Sequence, residues 1–166
     1  MKKAVQQIQD TPDDASTIRI IKSGSCTNLS GKSQLEYHIG SEANGEVYFR
    51  VSSNSGGGFF SPEWISLKGI QVAFQKAPKP ITSFALWPLF KGKSSNSPGF
   101  LFAALLAEGL VEHDKENPRV YVALSPDSFR LEMTKLIAEV GNGVMVDDVP
   151  TLNATTSPSK LQKKKA

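Results

Sequence analysis

The chain has 166 residues with a hydrophobic fraction of 39%, which suffices for the core of one compact domain, and no apolar run is long enough to span a membrane. No apolar region follows the two N-terminal lysines, so we predict no signal peptide, and the single Cys26 excludes an internal disulfide and fits a cytoplasmic protein. The net charge of +3 comes from the tail, because Lys160–Lys165 contains four lysines while residues 17–159 have equal numbers of basic and acidic residues.

The N-terminal part of the chain predicts a small antiparallel sheet. Residues 1–16 are polar and are predicted to be a mobile N-terminal segment. About three strands are expected between residues 17 and 60, because Thr17–Lys22 is rich in β-branched residues and both Gln34–Ile39 and Glu46–Ser52 alternate apolar with polar residues. The pair Asn44-Gly45 lies between the last two of these strands and predicts a hairpin turn.

The middle of the chain predicts two helices. Ser61 followed by Pro62 is typical of a helix start, and we expect this helix to continue to about Gln75. Its predicted buried stripe consists of Trp64, Leu67, Ile70 or Gln71, and Phe74. A second, short helix is expected over Thr82–Phe90, with Thr82 as its N-cap and Pro88 disturbing its last turn.

The stretch from Ser97 to Leu124 predicts a helix followed by a β-hairpin. Ser97 is the expected N-cap, Pro98 fits the first turn, and Gly109 is placed to end the helix in a left-handed conformation. Leu110-Val111 and Val120–Leu124 then flank a polar loop over residues 113–119. A final amphipathic helix is predicted over residues 126–140, because its apolar residues recur at spacings of three and four.

A helix, a glycine, a short strand, a charged loop and an aromatic-containing strand together resemble the recognition helix and wing of a winged-helix domain. The resemblance assigns the three helices of that fold to the segments that begin at Pro62, Thr82 and Pro98, with the third facing a DNA groove. It implies that DNA is contacted by the start of the third helix and by the wing at residues 112–119. The implied contact residues are Lys91, Lys93, Ser94, Ser95, Asn96, Ser97, Lys115, Asn117 and Arg119.

One feature of the third helix departs from this pattern. Its body, Gly99–Gly109, contains no Lys, Arg, Asn or Gln, although a helix that reads DNA presents polar side chains to the groove. The helix is therefore expected either to be buried on all sides or to pack against a partner.

Other motifs predict no catalytic or metal chemistry. Gly31-Lys32-Ser33 lacks the earlier glycine of a phosphate-binding P-loop and precedes a predicted strand instead of a helix. The glycine-rich loop Asn54–Gly58 is a crossing between sheet and helix or, as the alternative, a place where backbone amides approach a phosphate. His38 and His113 are the only histidines and form no metal-binding spacing with Cys26.

The sequence thus predicts an α+β protein with four regions: the mobile segment at 1–16, a small β region at 17–60, a winged-helix-like region at 61–140 and a disordered basic tail at 141–166. The expected function is that of a cytoplasmic, non-enzymatic protein without a cofactor that binds DNA, or alternatively RNA or single strands, and regulates transcription. The alternatives are a protein-interaction or dimerisation adaptor without nucleic-acid contact and an enzyme with a phosphorylated ligand. A homodimer through the third or last helix is expected. The tail lysines are either a nonspecific phosphate-binding arm or a solubilising end.

Overall fold

The computed structural model describes residues 17–142, so the predicted N-terminal segment and nearly all of the predicted tail lie outside the described residues. The fold is α+β, as predicted. Its larger sheet is antiparallel, with its strands in sequence order: β1 (Arg19–Thr27), β2 (Gln34–Ser41), β3 (Val47–Asn54) and the short β4 (Ile65–Ser66). No helix within residues 17–142 is long and apolar enough to cross a membrane.

The apolar alternation of β2 and β3 places one face of this sheet in the core. Leu35, Tyr37 and Ile39 of β2 are buried. In the register of the two strands Ile39 pairs with the buried Phe49, so the buried side chains of β2 and β3 lie on the same face of the sheet. The turn between the two strands forms at the predicted position, where Gly45 has a φ of +85°. This hairpin is therefore confirmed.

The first strand extends further than the sequence indicates. The predicted strand ended at Lys22, but Gly24 pairs with Tyr37 and Cys26 with Leu35 as part of β1. A Cβ atom at residue 24 would collide with the Tyr37 ring, so glycine is required for this close approach. Pairing with β2 thus extends the strand to Thr27, and the loop between the two strands is confined to residues 28–33.

The first helix begins later than predicted. Helix α1 spans Leu67–Lys76, and its N-cap is Ser66, whose Oγ accepts a hydrogen bond from the Gly69 amide at 3.0 Å. The predicted cap at Ser61 is wrong, because residues 61–64 form no regular secondary structure and lead into β4, which pairs with β3. Trp64 consequently lies outside the helix, while Leu67, Ile70 and Phe74 form its buried stripe.

The second and third helices follow the prediction more closely. Ser83–Phe90 is a 3₁₀ helix that contains Pro88, and Thr82 precedes it without making a side-chain cap hydrogen bond. Helix α2 spans Ser97–Ala107 with Asn96 as its N-cap, one residue before the predicted cap. Gly109 ends it with a φ of +71°, as expected.

A hairpin and a final helix complete the described chain. Strands β5 (Val111–His113) and β6 (Tyr121–Ala123) are antiparallel, and a bridge between Ile81 and Tyr121 adds a third short segment beside them. Helix α3 spans Asp127–Gly141 and buries Phe129, whose ring stacks on Phe49 of the sheet at a centroid distance of 5.5 Å. One cluster of buried residues therefore joins the sheet to the helices.

Candidate nucleic-acid interface

The body of α2 is inside the protein. Leu101, Phe102 and Leu105 are at most 1% exposed, and α2 contacts strands β1, β2 and β3 as well as the 3₁₀ helix. The aromatic ring of Phe102 packs against Tyr121 at a centroid distance of 4.7 Å. Of the two alternatives that the apolar sequence left open, burial is observed for residues 101–105, while Phe100 and Leu106 are half-buried and Phe100 borders a surface cleft.

The start of α2 is hydrogen-bonded to the segment that precedes β4. Ser97 is 2% exposed, and its Oγ accepts a hydrogen bond from the Ser61 amide at 2.8 Å. Ser94 Oγ and Asn96 Nδ2 both donate to the Phe59 carbonyl, at 2.6 and 3.0 Å. Ser97 was an expected DNA contact, but its buried hydroxyl is used within the fold and does not reach solvent.

The remaining expected contacts near α2 lie at the surface. Lys91, Ser95 and Asn96 are exposed. Lys93 Nζ is 2.7 Å from Glu63 Oε1, and both side chains are nearly half exposed, at 47% and 43%. Because water screens such a pair strongly, Lys93 remains able to exchange this partner for a phosphate.

Two exposed aromatic side chains stand beside the start of α2. Phe84 is 77% exposed and Trp87 is 50% exposed, and their rings lie 6.4 Å apart on the 3₁₀ helix. Together with the loop between β1 and β2 they border a cleft of about 310 Å³, which we call the aromatic cleft. Its lining consists of Asn28, Leu29, Ser30, Ser83, Phe84, Trp87, Ser95, Asn96, Pro98, Gly99 and Phe100.

The loop that forms one side of the aromatic cleft is held by its own hydrogen bonds. Asn28 Oδ1 accepts from Ser30 Oγ and from the Lys32 amide, both at 3.0 Å. The Lys32 amide is therefore occupied, and the loop connects two antiparallel strands, so Gly31-Lys32-Ser33 lacks the helix N-terminus of a P-loop. Its geometry shapes the cleft and does not form a phosphate cradle.

The glycine-rich loop over residues 54–58 is organised in a similar way. Asn54 Oδ1 accepts from the Gly56 amide at 3.0 Å, and Asn54 Nδ2 donates to the Gly58 carbonyl at 3.2 Å. The chain after this loop has no regular secondary structure up to β4 and does not enter a helix. The helix N-terminus that would favour a phosphate there is therefore absent.

The wing has an ordered tip. Asp114 Oδ1 accepts from the amides of Glu116 and Asn117, both at 2.9 Å, and Asn117 Oδ1 accepts from the Arg119 amide at 3.1 Å. Asn117 is thus partly used inside the loop. Lys115 and Arg119 are exposed, but residues 112–119 contain three carboxylates to these two cations. Among the described residues that line the aromatic cleft, none comes from the wing.

A buried polar cluster ties the sheet to the end of α2, and no sequence pattern indicated it. The Glu108 side chain is 5% exposed and accepts from Lys22 Nζ at 2.7 Å and from the Tyr37 hydroxyl at 2.5 Å. Burial lowers the pKa of Lys22, but Glu108 and Glu132 outweigh it and raise that pKa above its ordinary value. Burial and the Glu108 carboxylate also raise the pKa of Tyr37 and of the Cys26 thiol. Both effects favour the protonated thiol of Cys26 over the thiolate.

The opposite face of the sheet carries a second polar group. Arg50 Nε donates to His38 Nδ1 at 3.3 Å, and the Arg50 guanidinium lies 4.5 Å from the centre of the Trp64 ring. Burial and the charge of Arg50 lower the pKa of His38, which favours its neutral form. Arg50 is therefore engaged within the sheet.

Comparisons with protein-family models, curated proteins and solved structures gave no significant match. Within residues 17–142, no group of three or more His, Cys, Asp or Glu side chains is arranged to hold a metal ion. The functional assignment therefore depends on the surfaces of the chain itself.

Proposed function

We propose that this chain is a non-enzymatic, regulatory nucleic-acid-binding protein that contacts its target at the start of α2. The observation that carries the proposal is the aromatic cleft, which combines the exposed rings of Phe84 and Trp87 with the polar side chains of Ser95 and Asn96. Exposed aromatic rings stack on nucleobases, and amide and hydroxyl groups bond to base edges. Lys91 is close in sequence and is available to neutralise a phosphate.

The order of the elements supports the winged-helix resemblance that suggested this function. Helix α1, the 3₁₀ helix and α2 are followed by the β5–β6 hairpin, which is the arrangement that the resemblance implies. The buried body of α2 moves the proposed contact to the N-terminal end of that helix. Stacking on exposed rings requires unpaired bases, so we expect single strands or locally opened duplexes to be preferred over intact duplexes.

A protein-interaction adaptor without nucleic-acid contact is the second candidate. It is favoured by the composition of the wing, where Glu112, Asp114 and Glu116 surround the expected contacts Lys115 and Arg119. Carboxylates at these positions repel phosphates and reduce the contribution of the two cations. The two candidates differ in whether an oligonucleotide binds at low salt.

The test is a fluorescence-anisotropy titration of the full chain with labelled single-stranded and duplex DNA across a salt series. Replacing Trp87 with Ala is expected to weaken single-strand binding about 5- to 150-fold, which corresponds to about 1–3 kcal/mol for one stacked base. The matched control is Leu131→Ala, because Leu131 is 60% exposed on α3, away from the cleft residues. It should leave binding unchanged.

Two further variants separate the sources of charge. The double variant Lys91→Ala/Lys93→Ala should make the slope of log K against log salt concentration shallower. For single strands the change is about 0.7 for each phosphate contact that is lost. Replacing the four tail lysines with Ala in the full-length chain should leave the effect of Trp87→Ala intact. If binding is unaffected by Trp87→Ala and disappears with the tail lysines, the tail is a nonspecific arm and the proposal fails.

A further inference from the structure

An open groove runs between α1 and the 3₁₀ helix, and Phe84 lines both this groove and the aromatic cleft. It has a volume of about 760 Å³, and we call it the apolar groove. One wall is formed by Gly69, Val72 and Ala73 of α1, and the opposite wall includes Phe84 and Pro88 of the 3₁₀ helix. Two of these α1 residues, Gly69 and Ala73, are small, and α1 and the 3₁₀ helix are in contact with each other.

The apolar surface of this groove is exposed in the described part of the chain. Val72 is 39% exposed and Phe84 is 77% exposed, although both are apolar side chains that folding normally covers. A groove of this kind, lined by apolar side chains and edged by polar ones, is typical of a site for a partner.

The charged side chains that line the groove are all positive. Lys68 and Lys76 line its edge, and they lie eight residues apart on α1, which corresponds to about 12 Å along the helix axis. Within residues 17–142, no acidic residue lines the groove. The sequence from Trp64 to Ala107 contains five lysines and no Asp or Glu. The complementary partner must therefore be anionic as well as apolar.

We propose that the apolar groove docks an acidic amphipathic helix of a partner protein. The distance between the two lysines equals about two turns of helix, and a helix laid in such a groove presents apolar side chains at positions i, i+3 or i+4, and i+7. Its carboxylates pair with Lys68 and Lys76, while its apolar side chains contact Val72 and Phe84. This interaction is separate from the proposed nucleic-acid contact.

The test uses the full chain and a labelled acidic amphipathic peptide with leucines on one face and glutamates elsewhere. Two control peptides keep either the leucine face with lysines in place of the glutamates, or the acidic composition in scrambled order. Only the acidic amphipathic peptide is expected to bind, with an affinity that falls as salt rises. Lys68→Glu/Lys76→Glu should weaken that binding at least about 10-fold, and Val72→Asp should do so at any salt concentration.

The matched control is Lys115→Glu/Lys135→Glu, which changes the charge equally at exposed positions outside the groove. All variants alter exposed side chains, and circular dichroism is used to check that each of them is folded. The proposal is overturned if the control weakens binding as much as the groove variant, or if the basic or scrambled peptide binds equally well. It is also overturned if sedimentation shows dimers that Val72→Asp dissociates, because the occupant is then a second copy of this chain.

Discussion

Glu108 connects the end of α2 to the sheet through an ion pair with Lys22 and a hydrogen bond from Tyr37. Replacing Glu108 tests whether these buried interactions stabilise the fold. The carboxylate is 86 residues away in sequence from Lys22, with which it forms a 2.7 Å ion pair, and it also accepts the Tyr37 hydroxyl. Glu108→Gln preserves the volume and an acceptor for Tyr37 but removes the charge. Glu108→Ala removes both interactions and leaves two polar groups without this partner.

The expected cost follows from the burial of the partners. A hydrogen bond to a charged group contributes about 1.5–3 kcal/mol, and breaking a fully buried ion pair costs about 3–5 kcal/mol. Lys22 is 31% exposed, so water replaces part of the lost interaction. We therefore expect a loss of about 1–2 kcal/mol in the free energy of unfolding for Glu108→Gln and about 3 kcal/mol for Glu108→Ala. The latter corresponds to a decrease in Tm of about 12 °C for a folded unit of this size.

Urea unfolding followed by tryptophan fluorescence and circular dichroism measures these differences. The matched control is Glu132→Gln, because Glu132 binds the same Lys22 ammonium at 3.0 Å but is 53% exposed. An exposed partner contributes little, so the control should cost less than about 0.5 kcal/mol. If Glu108→Gln lowers the free energy of unfolding no more than Glu132→Gln does, burial does not strengthen the ion pair with Lys22 and the reasoning is refuted.

Three other predictions concern the fold. The free energy of unfolding should be nearly constant from about pH 7 to 8 and fall above it. The folded state raises the pKa of Cys26, Tyr37 and Lys22 above their ordinary values, so the unfolded chain loses these protons first as the pH rises, beginning with the thiol. Urea midpoints measured from about pH 7 to 11 test this, and a midpoint that rises above about pH 8 contradicts it. Gly24→Ala should destabilise by about 1–3 kcal/mol, since its Cβ meets the Tyr37 ring, and Tm should fall well below that of a control Gly57→Ala, which meets nothing. Ser66→Ala should lower the free energy of unfolding by about 1 kcal/mol through the lost cap of α1; an unchanged urea midpoint would show that the cap is dispensable.

Local patterns predicted those parts of the fold that local chemistry determines. The alternation in β2 and β3, the turn at Gly45 and the helix end at Gly109 were all found from the sequence because each depends on residues close together in the chain. The start of α1 was missed because Ser61-Pro62 is a valid helix start in isolation, whereas β4 pairs with β3 and delays the helix to Leu67. Such pairing has no local signature.

The candidate site was predicted only in part for a similar reason. Ser95 and Asn96 were identified from their place before a helix, but the exposure of Trp87 depends on the 3₁₀ conformation of its segment, which a helical pattern with 3.6 residues per turn does not reveal. The run of lysines without acidic residues, from Trp64 to Ala107, was the available signal for the apolar groove. It is hidden in the total charge of the chain, because acidic residues elsewhere cancel it.

Both proposed binding sites, the aromatic cleft and the apolar groove, are lined in part by residues of the 3₁₀ helix. Phe84 lines both sites, whereas Trp87 lines only the cleft and Val72 only the groove. If both proposals hold, Phe84→Ala must weaken the binding of single-stranded DNA and of the acidic peptide, while Trp87→Ala affects only the former and Val72→Asp only the latter. Because Phe84 is 77% exposed, its replacement should not unfold the chain. The comparison of the three variants therefore distinguishes two neighbouring binding sites from one shared site. If there is one shared site, all three variants weaken the binding of both ligands.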